Sequence, residues 1–158
     1  MKILVILGSG GHTAQMLRLV DLLEDRFKYT YLISKEDQIS SKKITKRGEV
    51  YFAHRARAYG DNIIVILFKI GRLFAESFYI IIIYRPKAIV SAGPGITVPV
   101  SIVGKLLGKK IVFIESWSRV YNGSTTGKIL YRFADLFFIQ WPELKETYPN
   151  AIYAGRLS

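Results

Sequence analysis

Short runs that are apolar at every position recur along this chain, and they constrain its fold more than any other feature. A strand whose residues are all apolar must be covered on both faces, which is typical of a parallel sheet flanked by helices. Between these runs, residues 13–25 and 96–107 carry apolar residues at helical spacing. The alternation predicts an α/β fold, a Rossmann-like doubly wound parallel sheet, in a single domain over residues 1–158. The predicted strands cover residues 3–7, 29–33, 50–53, 88–90, 111–114, 136–139 and 151–153.

Basic residues dominate the charge of the chain. Lysine and arginine outnumber aspartate and glutamate by 23 to 12, which gives a formal net charge of +11 over 158 residues. This excess favours an anionic partner, which could be nucleic acid, an anionic membrane or a phosphate-bearing substrate. Residues 40–57 are predicted as an exposed basic face, and because their lysines are not interleaved with aromatic residues that could stack on bases, no nucleic acid is expected. The absence of cysteine excludes a disulfide-stapled module and a thiolate metal site.

The first glycine-rich turn lies between a predicted strand and a predicted helix and reads Gly8-Ser9-Gly10-Gly11-His12-Thr13. Small residues at this position let backbone amides approach an anion, and the helix dipole favours a negative charge there. A dinucleotide fingerprint would require glycine where Thr13 stands, so a nicotinamide cofactor is not expected. His12 could act as a base or bind an acceptor hydroxyl, with a capping or packing histidine as the alternative.

Two more motifs follow predicted strands. Gly93-Pro94-Gly95 forms a second turn before a helix, and Glu115 is followed by Ser116 and, three residues further on, by Arg119. Because the carboxyl ends of parallel strands meet at one edge of the sheet, these motifs are expected to face one crevice. Taken alone, the second turn is only a tight turn. Glu115 is favoured as a site residue over a purely structural one.

Residues 62–85 form an almost wholly apolar segment that is interrupted by Lys69, Arg72 and Glu76. Three charges near the centre of a spanning helix would each cost about 2.5–3.5 kcal/mol, so a transmembrane helix is disfavoured. A helix that lies in the membrane interface through residues 63–84, with Phe74 and Phe78 on its apolar face, is one interpretation. The alternative is a buried helix followed by a strand at residues 79–84.

Several motifs together resemble the asparagine-linked glycosylation fourteen family, and the resemblance runs nearly from end to end. Its members are the amino-terminal, acceptor-side half of a split GT-B glycosyltransferase, while a separate small protein binds UDP-N-acetylglucosamine. Similar bacterial exopolysaccharide proteins pair in the same way with other UDP-sugars. The motifs are the first glycine turn, Gly93-Pro94-Gly95 with Val98-Pro99-Val100, Glu115-Ser116 with Arg119-Val120, Gly127-Lys128-Ile129-Leu130, Gln140-Trp141-Pro142 with Leu144-Lys145, Tyr148-Pro149, and Tyr153 with Gly155-Arg156.

The resemblance implies a set of site residues. A single-chain relative, the peptidoglycan lipid-intermediate transferase, has a comparable glycine loop ending in histidine and an acid after a later strand, so His12 and Glu115 are the candidates for activating or orienting the acceptor hydroxyl. No metal is required, because fixed amides and cations can hold the phosphates of a lipid-linked sugar diphosphate. The residues expected to bind acceptor and phosphate are Gly8, Ser9, Gly10, Gly11, Thr13, Gly93, Gly95, Ser116 and Arg119.

The resemblance also implies a partner and a membrane. The donor-binding half is expected to contact the last strands and turns through Trp141, Tyr148, Tyr153 and Leu157, with internal packing of Trp141 as the alternative. Eukaryotic members usually begin with a membrane anchor, and this sequence reaches its first predicted strand directly after Met1 and Lys2. Peripheral attachment at the cytoplasmic face of a membrane is therefore expected, through residues 63–84 with Lys69 and Arg72. The alternative function is a non-catalytic anchor that only recruits the catalytic partner.

Overall fold

A computed structural model describes residues 1–37, 39–55 and 62–157. Its centre is a seven-stranded sheet in the order β3-β2-β1-β4-β5-β6-β7, and every neighbouring pair is parallel. The predicted doubly wound α/β fold is confirmed. The strands are β1 Lys2–Ile6, β2 Lys28–Ser34, β3 Gly48–Ala53, β4 Ala88–Ser91, β5 Lys110–Ile114, β6 Leu136–Ile139 and β7 Ile152–Tyr153. The helices are α1 Gly11–Leu23, α2 Ile63–Tyr84, α3 Thr97–Leu106 and α4 Thr125–Leu130, with short 3-10 helices at Glu24–Arg26, Ser40–Lys43 and Pro142–Lys145.

Helices cover both faces of the sheet, which explains why the strands are apolar at every position. Successive residues of β1 enter different cores: Val5 packs with Met16 of α1, and Leu4 packs with Leu73 of α2 and Val100 of α3. A third core lies under β5 and β6 near the carboxyl end of the chain. Because side chains alternate across a strand, a run of this kind is stable only with both layers present.

The direction of winding reverses between β1 and β4. From β1 the chain moves through β2 to β3 on one side, and then returns to place β4 on the other side of β1. The helices that follow these two strands, α1 and α3, cover opposite faces of the sheet, and the carboxyl ends of the strands between them form a crevice, which is where ligands bind in open α/β sheets. The two glycine turns follow β1 and β4, so the topology places both at this crevice.

Helix α2 is one continuous helix of 22 residues, so the alternative of a strand at residues 79–84 is wrong. The Asn62 side chain caps its start by accepting from the Val65 N–H at 2.9 Å. Ile80 and Ile81 are both buried about two turns beyond Leu73, on a helical period that an alternating strand could not achieve. The helix ends at Arg85 in the left-handed region (φ 48°), directly before Pro86.

The amino-terminal half of α2 extends beyond the sheet. Glu76 hydrogen-bonds His54, the residue that follows β3, and Leu73, one turn earlier, is the first buried residue of the helix. None of residues 63–72 is buried. Ile64 and Phe68 are 74% and 73% exposed. The carboxyl edge of the sheet therefore carries both the crevice and an uncovered apolar helix.

Within the described residues, no helix has both the length and the apolar composition that crossing a bilayer requires.

Candidate functional site

The two glycine turns contact each other and enclose a cleft of about 420 Å³. A Cβ atom on Gly8 would lie 2.5 Å from the Cβ of Pro94, so only glycine allows this close approach. Gly93 has a φ of +103°, a conformation that favours glycine, and turns the chain toward His12. The predicted meeting of the two turns is confirmed. The cleft is lined by Leu7, Gly8, Ser9, His12, Ser34, Arg55, Gly93, Pro94, Gly95 and Ile96.

His12 lies at the start of α1, half-buried between the two turns. Burial lowers the pKa of its imidazole below 6.5; the Ala92 backbone and the charge of Glu115 oppose this shift, and the charge of Arg119 adds to it. The Ala92 backbone lies close enough to favour the protonated ring. Even so, the buried Nδ1 atom makes no hydrogen bond of normal geometry with any described residue. The imidazole is therefore neutral at pH 7 and can accept a proton.

Thr13 supports the first turn from below instead of lining the cleft, and this corrects its predicted role as a phosphate ligand. Its side chain is buried and its hydroxyl donates to the Gly8 carbonyl. Thr13 Oγ1 also lies 2.6 Å from Ser40 Oγ, and Ser40 donates to Asp37 at 2.5 Å. Burial alone would raise the pKa of Asp37, but the hydrogen bonds from Ser40 and Ile39 lower it overall. Asp37 is thus a charged anchor beneath the glycine loop.

Arg55 lines the cleft, and sequence reasoning missed it by treating residues 40–57 as a solvent-exposed basic face. Its Nε atom donates to Ser34 Oγ at 3.2 Å and lies 3.7 Å from Glu36 Oε2. Ser34 Oγ in turn donates to the Glu36 carboxylate. Ser34 ends β2 and Arg55 follows β3 by two residues. The rule that sites lie at the carboxyl ends of strands could therefore have identified both.

Glu115 is completely buried at the end of β5. One carboxylate oxygen accepts from the Ser116 N–H at 2.9 Å, and the other accepts from the Ser124 N–H at 2.9 Å, the Ser124 hydroxyl at 3.1 Å and the Tyr148 hydroxyl at 3.1 Å. A Cβ on Gly127 would lie 2.2 Å from Oε2. Enclosed in this way, the carboxylate holds the loop between β5 and α4 and does not line the cleft. The predicted catalytic role of Glu115 stays a prediction.

Two glutamine side chains position the backbone of the same loop. The Glu115 carbonyl accepts from Gln15 at 3.2 Å and from Gln140 at 2.8 Å. Gln15 also accepts from the Trp117 N–H at 3.2 Å, while Gln140 accepts from the Leu157 N–H at 2.8 Å. The loop after β5 is consequently tied both to α1, which carries His12, and to the last residues of the chain.

The other residues predicted to bind acceptor or phosphate fall into two groups. Gly8, Ser9, Gly93 and Gly95 line the cleft. Ser116 is buried and Arg119 is exposed; neither lines the cleft, although the charge of Arg119 acts on His12. Gly10 and Gly11 lie in the turn at the start of α1, and Gly10 has a φ of 63°.

Residues predicted to contact the partner lie at the carboxyl end of the chain. Tyr148 is buried in the third core and donates to Glu115, so its predicted role as a partner anchor is corrected to internal packing. Trp141 is half-buried, donates to the Trp117 carbonyl at 2.6 Å and has the Arg156 guanidinium 4.7 Å from its ring centre. Tyr153 is exposed, and Leu157 lines an apolar cavity of about 170 Å³.

The residues predicted to face the membrane differ in exposure. Phe78 is 53% exposed, whereas Phe74 packs against the core between α2 and the sheet. Arg72 is exposed and donates to Glu76 at 3.1 Å, and Lys69 is half-buried. Phe74 therefore contributes to the core more than to an apolar outer surface.

The sheet, its winding reversal and the cleft define this chain as one doubly wound half of the GT-B type. MurG from Acinetobacter baumannii superimposes with a TM-score of 0.74 at 16% identity, over 90% of this chain and 42% of that chain. UDP-GlcNAc 2-epimerase from Methanocaldococcus jannaschii superimposes with a TM-score of 0.73 at 14% identity, over 94% of this chain and 43% of the other. At these identities the likeness shows the fold alone, and the matched part is the amino-terminal half.

Sequence relatives are far more similar. UDP-N-acetylglucosamine transferase subunit ALG14 of Rattus norvegicus is 35% identical over 181 residues, covering 98% of this chain and 82% of the relative. The Homo sapiens protein of that name is 35% identical over 179 residues (99% and 83%), and the Saccharomyces cerevisiae one is 32% identical over 182 residues (99% and 77%). The family model for Alg14-like oligosaccharide biosynthesis proteins matches residues 3–157. The chain belongs to the Alg14 family of glycosyltransferase subunits.

Proposed function

We propose that this chain is the acceptor-binding subunit of a UDP-N-acetylglucosamine transferase, which adds the sugar to a lipid-linked sugar diphosphate at the cytoplasmic face of a membrane. The observation that carries the proposal is the cleft at the winding reversal, where a neutral His12 faces two glycine turns. The names of the relatives supply the donor sugar. The donor is expected to bind a separate subunit, because the relatives are named as subunits of a transferase.

The start of α1 suits a phosphate group. Gly10 precedes the helix and provides no side-chain cap, so the first N–H groups of α1 have no side-chain partner at this position. These donors and the positive end of the helix dipole can stabilise an anion in the cleft. The acceptor diphosphate is therefore assigned to the turn formed by Gly8, Ser9 and Gly10.

His12 is assigned the role of general base. The acceptor hydroxyl oxygen attacks the anomeric carbon of the donor sugar, the bond between that carbon and the UDP oxygen breaks, and UDP leaves with the bonding electrons. The hydroxyl proton passes to the imidazole. This step requires a neutral ring, and burial keeps it neutral by lowering its pKa.

The exposed half of α2 is assigned to the lipid. Ile64, Leu67 and Phe68 are exposed at the carboxyl edge of the sheet, the same edge as the cleft. A lipid whose diphosphate occupied the cleft could place its hydrocarbon chain against this surface, and the surface could enter the membrane interface with it. Peripheral attachment through residues 63–72 and the exposed Phe78 follows from this arrangement.

The donor-binding subunit is assigned to the carboxyl-terminal surface. Trp141 is half-buried and Tyr153 is exposed there, and Leu157 lines an apolar cavity. Through Gln140, this surface is hydrogen-bonded to the loop after β5. A partner bound here would lie next to the cleft, as a donor site must.

The test is transfer from UDP-N-acetylglucosamine to a lipid-linked sugar diphosphate, measured for this chain with and without the donor-binding subunit. The chain alone is expected to be inactive. In the complex, His12→Ala should reduce kcat by about 10²–10⁴-fold, while Arg18→Ala, an exposed change on the same helix, should not alter it. If His12→Ala turns over at the wild-type rate while the partner stays bound, the chain only recruits its partner and the proposal is wrong.

A further inference from the structure

We infer that Arg55 is the cation that binds the acceptor diphosphate in the cleft, and that Glu76 of α2 positions it through His54. The inference rests on the proposed function and adds two residues to it. Neither residue belongs to a glycine turn: Arg55 lies in the segment after β3 and Glu76 lies on α2, on the other side of the cleft from Gly93 and Pro94.

Arg55 is the one residue with a permanent charge among the described residues that line the cleft. The other described lining residues are those of the two glycine turns, Ser34, two apolar residues and the neutral His12, and none of these side chains can neutralise a diphosphate. Ser34 and Glu36 both approach the Nε atom, at 3.2 and 3.7 Å. A guanidinium also carries donors on its two terminal nitrogens, in the planar arrangement that suits phosphate oxygens.

Glu76 fixes the backbone from which Arg55 extends. One of its oxygens accepts from the His54 backbone N–H at 2.9 Å, and the other lies 2.6 Å from His54 Nδ1. Arg72, one turn earlier on α2, donates to the same carboxylate at 3.1 Å. Burial alone would raise the pKa of Glu76, but the two contacts from His54 and that from Arg72 lower it overall, so the carboxylate is charged at pH 7.

These contacts link the exposed helix to the cleft. His54 directly precedes Arg55, and the end of β3 is held on its other side by the Lys35 N–H, which donates to the Ala53 carbonyl at 2.9 Å. Removing the Glu76 carboxylate would release the His54 N–H and allow Arg55 to leave its position beside Ser34. A change in α2 would therefore reach the phosphate site through a single residue.

The experiment is an NMR titration of the full chain with inorganic pyrophosphate, comparing wild type, Arg55→Ala, Glu76→Ala and the double variant. A hydrogen bond to a charged group contributes about 1.5–3 kcal/mol, so Arg55→Ala should weaken binding about tenfold or more. Glu76→Ala should weaken it by roughly three- to tenfold and shift the His54 amide resonance. Because Glu76 acts through Arg55, the double variant should bind no more weakly than Arg55→Ala alone.

Two control variants and one kinetic measurement distinguish a specific role of Arg55 from a general effect of charge. Arg47→Ala removes the same charge from an exposed site outside the cleft and should bind like wild type. Arg55→Lys keeps the charge and should recover part of the affinity. In the complex, Arg55→Ala should raise KM for the lipid acceptor and leave KM for the UDP-sugar unchanged.

Three results would overturn the inference: wild type that shows no pyrophosphate shifts near the cleft, Arg55→Ala that binds like wild type, or single-variant losses that add in the double variant. If any of these occurs while His12→Ala abolishes transfer, the inference fails and the proposed function stands. If His12→Ala retains turnover, the proposed function itself has failed.

Discussion

Gly127 gives the sharpest test of the packing around Glu115. It lies inside α4, where helix propensity alone predicts that Gly127→Ala stabilises the protein by about 1 kcal/mol. However, the added Cβ would lie 2.2 Å from Glu115 Oε2 and 2.7 Å from the Tyr148 hydroxyl. Overpacking costs about 1–3 kcal/mol, and a lost hydrogen bond to a charged group costs about 1.5–3 kcal/mol. These terms exceed the propensity gain, so a net loss of about 2–4 kcal/mol is expected.

Gly71 is the matched control for this substitution. It also lies inside a helix, α2, but a Cβ there would meet no atom within 4 Å. Gly71→Ala should therefore stabilise the protein by about 0.5–1 kcal/mol, because only the propensity term acts. Urea denaturation of both variants measures the two free energies of unfolding directly. If Gly127→Ala is as stable as Gly71→Ala, Glu115 is not enclosed as described and its structural role is wrong.

Three further predictions address the site, the membrane surface and the sheet. Because burial lowers the pKa of His12 and the neutral ring is the proposed base, kcat/KM for the acceptor should fall only below pH 6.5 as the ring gains its proton; an acidic limb centred above pH 6.5 would contradict this. Phe68→Asp should reduce sedimentation with anionic liposomes several-fold, whereas Leu22→Asp, on an exposed site of α1, should not. Equal binding of the two variants would show that α2 does not bind the membrane. Asp135 accepts from the Ile111 N–H and pairs with Lys105 and Lys110, and these contacts outweigh burial and hold its pKa at about 2. The stabilising contribution of this carboxylate is therefore complete above its ordinary pKa of 3.8 and is lost as the pH falls toward 2. Because Asp135 is exposed and solvent screens its pairs, Asp135→Asn should cost about 1 kcal/mol at pH 7 in urea denaturation and should make stability less dependent on pH in the acid range; an unchanged pH dependence there would show that the pairs contribute nothing.

The strands were predictable because a strand that helices cover on both faces of the sheet is apolar at every position. Runs such as residues 3–7 and 111–114 are apolar at consecutive positions, and each became a strand to within one residue at either end. The segment at residues 79–84 was ambiguous because six largely apolar residues fit a strand or a buried helix equally well. Packing decided it, since Ile80 and Ile81 are buried together with Leu73, which lies about two helical turns earlier.

The site was predictable only in its position. Both glycine turns and His12 follow from the rule that loops at the carboxyl ends of strands share an edge, and that rule also locates Glu115. It does not reveal which way a side chain points, and Glu115 turns inward toward Ser124 and Tyr148. The sequence did not single out Arg55, because it belongs to a cluster of lysines and arginines, and such a cluster normally indicates a solvated face.

The sequence also could not predict which part of α2 is exposed. The hydrophobic pattern showed an apolar segment with three charges, but it did not show where the sheet ends. Contact between Glu76 and His54 sets that limit and leaves Ile64 and Phe68 beyond the edge. The length of β3 therefore decides which turns of the helix are core and which are surface.

Photoaffinity labelling tests the central claim most directly. A lipid-linked sugar diphosphate with a photoreactive group on its lipid chain next to the diphosphate would be irradiated with the complex of this chain and the proposed donor-binding subunit, and the labelled peptides would be mapped by mass spectrometry. We expect labels on this chain at residues 8–12, 93–96 and 63–72, suppressed by excess unlabelled acceptor. Labels confined to the donor-binding subunit, or to the opposite edge of this sheet, would contradict the assignment of the acceptor to the His12 cleft.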